Sequence, residues 1–117
     1  MTIEIPGVDE KKVLELYDGE MDIFLPVLRS YSSTTPATLE KIRTVTAETL
    51  PEYRISVHGM KSTSESIGAG EARRMAAELE TMAKAGDITG VLAKNGAFLK
   101  YVDDLLDNIK KWLSKLN

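Results

Sequence analysis

The sequence contains no cysteine, which removes disulfides, thiolate nucleophiles, thiolate zinc sites and iron–sulfur ligation together. It contains one histidine, His58, so no His–His metal pair can form. Excess cation is missing as well. Lys and Arg number 15 against 18 Asp and Glu, a formal charge of -3, which leaves nothing to neutralise a phosphate backbone and excludes nucleic acid as an expected partner. No apolar run approaches the roughly 18 residues of a membrane span. The acidic opening MTIEIPGVDEKK lacks the basic and apolar regions of a secretory signal; a cytoplasmic protein off the membrane is expected. Apolar residues almost never alternate at two, so strands are not needed. What remains is ordinary globular composition, 43% hydrophobic and 28% charged over 117 residues, and a single domain spanning 1–117 is expected.

The apolar residues recur at three and four. Ile88, Val91, Leu92, Phe98, Leu99, Val102, Leu105, Leu106, Ile109, Trp112, Leu113 and Leu116 form one stripe with Lys100, Asp103, Asp104, Asp107, Lys110 and Lys111 behind it, which predicts one long amphipathic helix. Gly86-Asp87 reads as the stop of the preceding helix and the N-cap of this one. That preceding helix runs from about Ala69 to Ala85, with Ala72, Ala76, Leu79 and Ala83 inward. A further helix from Leu50 to Ile67 starts with Pro51 in its first turn and turns Tyr53, Val57, Met60, Ser64 and Ile67 inward. From Glu20 to Ala47 the pattern is helical again (Ile23, Phe24, Val27, Leu28, Tyr31, Leu39, Ile42, Val45), but Pro26 and Pro36 interrupt it, leaving one kinked helix or two abutting ones. A short helix from Asp9 to Tyr17, closed by Asp18-Gly19, comes first. Four substantial amphipathic helices on short links predict an all-α, antiparallel up-down four-helix bundle with a short accessory N-terminal helix.

Such a bundle carries no function of its own, so the chemistry must sit off the stripes. A step of about 100° per residue places His58, Lys61, Ser62 and Glu65 together on the outward side of their helix. An imidazole in water at neutral pH keeps one ring nitrogen free as a nucleophile. Lys61, three residues on, is a point-charge donor suited to a phosphoryl oxygen. The neighbours Gly59, Ser62, Thr63, Ser64 and Ser66 are small, so a partner can approach closely.

The run His58-Gly59-Met60-Lys61-Ser62-Thr63-Ser64-Glu65-Ser66-Ile67-Gly68-Ala69 resembles the signature of histidine-containing phosphotransfer (HPt) domains of two-component phosphorelays, roughly His-x-Leu-Lys-Gly/Ser-x-Ser-x-x-Ile/Leu-Gly-Ala. Leu79-Glu80, Ala83-Lys84-Ala85-Gly86-Asp87 and the lead-in Ile5-Pro6-Gly7-Val8-Asp9 extend the resemblance over essentially the whole chain. The resemblance implies a four-helix bundle in which His58 accepts a phosphoryl group from the aspartate of a receiver domain, or from a partner kinase, and passes it to another receiver aspartate. It implies response-regulator receivers and a sensor or hybrid histidine kinase as partners. It implies no cofactor on this chain, with Mg2+ only on the receiver, and a monomer. Lys61 would neutralise phosphate oxygens. Ser62 would stand where the family often has glycine and, with Gly59 and Glu65, would meet the partner. Glu80, on the next helix, would hydrogen-bond the non-reacting ring nitrogen and fix the tautomer. Gly59 departs from a good helix former at a cost of about 1 kcal/mol, its gain being clearance beside His58.

Other readings compete. Lys61 can pair with Glu65, and Glu80 with Lys84, as ordinary i,i+4 ion pairs. Ser64 fits a packing role, Met75 and Met82 fill gaps, and Lys110-Lys111 fits a solvated face. A serine hydrolase built on Ser62 and His58 fails for want of an oxyanion hole, because amides inside a helix are committed to i−4 carbonyls. An ATP-dependent kinase fails for want of a glycine-rich loop and metal-binding acids. The remaining alternative is a non-catalytic module that docks a receiver.

Overall fold

Several helix ends follow from local cap chemistry. In the computed structural model, which describes residues 2–116, there are five helices: α1 (Glu10–Tyr17), α2 (Met21–Ile42), α3 (Leu50–Ser66), α4 (Gly70–Lys84) and α5 (Ile88–Ser114). Met1 and Asn117, the two ends of the expected domain, lie outside the described residues. Asp9 caps α1 by accepting from the Lys12 amide, and Asp87 caps α5 by accepting from the Gly90 amide. Asp18 (φ 51°) and Gly19 (φ 76°) close α1 in the left-handed region, as Gly86 (φ 72°) closes α4. Among the described residues there is no strand.

Helix α2 is one continuous element through both prolines. Its buried residues Phe24, Leu28, Tyr31, Thr35, Leu39 and Ile42 keep unbroken three-and-four spacing past Pro26 and Pro36. Burial of that stripe, about 1.5–3 kcal/mol for each large apolar side chain, offsets the lost backbone bonds. The helix ends at Ile42, short of the expected Ala47, because other partners take over. The Asn95 amide of α5 donates to the Ile42 carbonyl (2.7 Å) and accepts from the Tyr53 hydroxyl (2.8 Å). Thr46 and Thr49 then bond each other's backbone amides (2.9 and 3.2 Å) in the connection to α3.

The pairs α2–α3, α3–α4, α4–α5 and α2–α5 pack against one another, which closes the antiparallel four-helix bundle. Phe24, Leu28, Leu39, Val57, Leu79, Val91, Phe98 and Ile109 fill it. Two residues expected in the stripes lie outside it: Ile23 is 49% and Leu92 59% exposed. Each sits too far round its helix from the core axis, on the rim where an apolar residue still meets water. The N-terminal segment straps the far end of α5. Ile3 and Ile5 are buried there, the Trp112 indole donates to the Thr2 carbonyl and the Asn108 amide donates to the Pro6 carbonyl (both 3.3 Å).

Helix α1 locks the α3–α4 turn. The Asp9 amide donates to the Gly68 carbonyl (2.9 Å) and the Tyr17 hydroxyl to the Ser66 carbonyl (2.8 Å). Gly68 has φ 72°, and a Cβ there would meet Val13 Cγ2 at 2.8 Å. Only glycine meets both the left-handed backbone and that close approach. This turn sets the phase of α3 against α4, on which the site depends.

Candidate functional site

The α3 core stripe of Tyr53, Val57, Met60 and Ser64 is fully inside, which fixes the rotation of the helix and turns His58 outward with its side chain 60% exposed. Ser64 packs in the core and shares a hydrogen bond with the Tyr31 hydroxyl (3.2 Å). Across the interface, α4 turns Ala72, Ala76 and Ala83 toward the core, and such small residues let α3 approach closely. Glu80 lies in this seam, only 3% exposed, deeper than its place at the edge of the α4 stripe predicts.

Both oxygens of the buried carboxylate are engaged from α3. Lys61 Nζ donates to Oε1 at 2.7 Å, and His58 Nδ1 lies 2.5 Å from Oε2. The Lys61 ammonium holds the Glu80 carboxyl down to about 2, with burial opposing and the His58 bond assisting. An ionised carboxylate can only accept, so the ring hydrogen belongs on Nδ1 and the Nε2 lone pair is left for an incoming electrophile. Lys84 Nζ stands 3.8 Å from Oε2, so the i,i+4 pairing weighed for Glu80 exists but is the longest of its three ion pairs. The Lys61–Glu65 alternative does not form: Lys61 turns to Glu80, and Glu65 pairs with Arg73 (3.1 Å).

The sequence candidates therefore divide. His58, Lys61 and Glu80 form one hydrogen-bonded unit bridging α3 and α4. Gly59, Ser62 and Glu65 are exposed around it without touching the ring. Gly59 faces the α2 side of the ridge, where Thr34, Thr38, Ser56 and Thr63 border a shallow groove. A Cβ on Gly59 would meet nothing within 4 Å, so no contact within the protein requires glycine there. Lys110 and Lys111 are exposed, and Met75 and Met82 are half-buried against the core, as expected. Among the described residues no cluster of His, Cys, Asp or Glu could hold a metal ion, and no helix is long and apolar enough to cross a membrane.

Two exposed residues of α3 escaped the sequence reading. Ile55 is 65% exposed on the same outward ridge as Gly59. Arg54 is exposed one turn before His58. The His58–Glu80 and Glu65–Arg73 pairs fix the antiparallel register of α3 and α4, and by that register Arg54 falls opposite Lys84. Ile55 had a signal, a β-branched apolar residue on the face opposite Val57. Arg54 had none until the register was known.

Searches of curated proteins and of solved structures return no match. The family model of the Hpt domain matches residues 26–113, from the second turn of α2 almost to the end of α5, and so contains nearly all of the bundle and every residue of the His58 unit. With three quarters of its length inside that match, the chain belongs to the Hpt domain family, whose work is phosphotransfer in two-component signalling.

Proposed function

We propose that His58 is the phosphoryl-accepting residue of a phosphorelay. Its Nε2 attacks the phosphorus of a receiver-domain aspartyl phosphate. The bond from phosphorus to the carboxylate oxygen breaks as the Nε2–phosphorus bond forms, the aspartate leaves as carboxylate, and the reverse step on a second receiver passes the group on. The observation that carries this reading is the pairing of an exposed imidazole with a buried carboxylate on its Nδ1. That pairing fixes the ring's orientation and tautomer before a partner arrives.

The remaining residues take roles from their positions. Lys61 is half-buried beside the ring, close enough to swing from Glu80 to a phosphoryl oxygen as charge redistributes in the transition state. Gly59 and Ser62 keep the ridge low for a docking receiver, and Glu65, tied to Arg73, borders the same surface. Mg2+ belongs to the receiver's acidic pocket, and this chain works as a monomeric carrier in the cytoplasm without a cofactor.

The test is transfer itself. Incubated with a labelled phospho-receiver, the wild-type protein should take up label at His58 and release it to a second, unlabelled receiver. Uptake by His58→Gln, or uptake from ATP alone, would overturn the assignment.

A further inference from the structure

The acceptor on Nδ1 is a carboxylate, and a carboxylate cannot donate. A neutral amide in the same place could turn its NH2 toward an unprotonated Nδ1; Glu80 cannot, and its second oxygen is already held by Lys61 (2.7 Å). Glu80 therefore favours one form of the ring throughout the reaction, the form with hydrogen on Nδ1. We propose that Glu80 keeps that hydrogen in place on the phosphorylated ring as well, making phospho-His58 a short-lived, readily discharged carrier and not a store of phosphate.

The chemistry follows from charge. Attack by neutral His58 through Nε2 gives a phosphorylated imidazolium, with the positive ring facing the buried carboxylate across 2.5 Å. When the phosphoryl group leaves, the Nε2–phosphorus electron pair returns to the ring, and neutral imidazole departs with hydrogen still on Nδ1. The phosphoryl goes to a receiver carboxylate or to water. No proton has to enter or leave at Nδ1 in either direction. A ring that had lost that hydrogen would have to depart as an imidazolate, a far poorer leaving group, and its lone pair would face Glu80 with nothing to bind. The charged groups around the ring are Arg54 and Lys61 on α3 and Glu80 and Lys84 on α4, and Glu80 alone bonds it. The depressed carboxyl of Glu80 is ionised at every pH where a relay works.

This inference rests on phosphorylation at His58, and the test separates the two. Phosphoramidate, a small phosphoryl donor, replaces the receiver. After its removal, loss of phosphohistidine is followed by 31P NMR between pH 6.5 and 8.5 in wild type, Glu80→Gln and, as a surface control on α5 away from the site, Asp104→Asn. The wild-type loss rate should stay nearly level across this range, where that of free phosphohistidine falls. Glu80→Gln should lose phosphate about fivefold more slowly at pH 8, since a charge-assisted hydrogen bond is replaced by a neutral one. Asp104→Asn should match wild type. A wild-type rate that falls in parallel with free phosphohistidine would overturn the proposal without recourse to any variant. Equal lifetimes in wild type and Glu80→Gln would also overturn it while leaving the relay reading intact. Absence of phosphohistidine in wild type would overturn both.

Discussion

Replacing Gly59 with alanine should make this protein more stable and a worse relay partner. Gly59 lies inside α3, on its exposed side, and an added Cβ finds no neighbour within 4 Å. The folded state therefore gains a methyl group without strain, while the unfolded chain loses backbone freedom. The expected gain is about 0.5–1 kcal/mol. For a chain of 117 residues that corresponds to a rise in Tm of about 2–5 °C. Gly96 is the internal control, since it too is exposed within a helix, on α5, with open space where a Cβ would stand. Urea denaturation and thermal melts of Gly59→Ala and Gly96→Ala should show similar gains with unchanged m-values. Receiver-to-protein phosphotransfer should slow only in Gly59→Ala, because only that methyl group lies on the ridge beside His58. A destabilised Gly59→Ala would refute the open-space geometry. Wild-type transfer in a stabilised Gly59→Ala would remove Gly59 from the docking surface.

Three further substitutions probe separate parts of the structure. Lys61→Ala should slow transfer at least tenfold and cost about 1–3 kcal/mol of stability, because one oxygen of the buried Glu80 carboxylate loses its partner while His58 holds the other; urea melts beside transfer kinetics check both, and unchanged kinetics would leave Lys61 as a mere tether for Glu80. Glu80→Gln should flatten acid unfolding. The Glu80 carboxyl falls from 4.5 to about 2 on folding, so its contribution, at most about 3 kcal/mol, is complete above pH 4.5 and is lost as pH falls from there toward 2. Melts between pH 6 and 2.5 should therefore converge for wild type and variant at the acid end, and parallel curves would contradict the ion pair. Gly68→Ala, at φ 72° and 2.8 Å from Val13, should cost about 1–3 kcal/mol in a denaturation experiment. A neutral result would mean that the α3–α4 turn is not locked by α1 as described.

The bundle was legible because its helix signals agree with one another. Pro51 in a first turn, Asp87 as a cap, Asp18-Gly19 and Gly86 as stops, and stripes at three and four all point to the same ends. Where signals conflicted, packing decided: Pro26 and Pro36 argued for a break, and the continuous stripe through Phe24, Leu28, Tyr31, Thr35 and Leu39 overrode them. The end of α2 at Ile42 was not legible, since it depends on Asn95, 53 residues away along the chain. The strap of Ile3 and Ile5 on α5 was equally hidden, two isolated apolar residues having no period to read. At the site, the outward position of His58 and Lys61 followed from helical phase alone. The burial of Glu80 did not, because it depends on how closely the alanines of α4 admit α3. Arg54 entered only through the register that two inter-helix ion pairs define.

The central claim is that Glu80 reserves Nδ1 and leaves Nε2 of His58 to carry phosphate. The most direct measurement is the atom that becomes phosphorylated, read by 31P–15N correlation NMR on uniformly 15N-labelled protein after reaction with a phospho-receiver. This account predicts a single phosphoramidate on Nε2 of His58, lost when the denatured protein is acidified. Phosphate on Nδ1, or an acid-stable ester on Ser62 or Thr63, would contradict it.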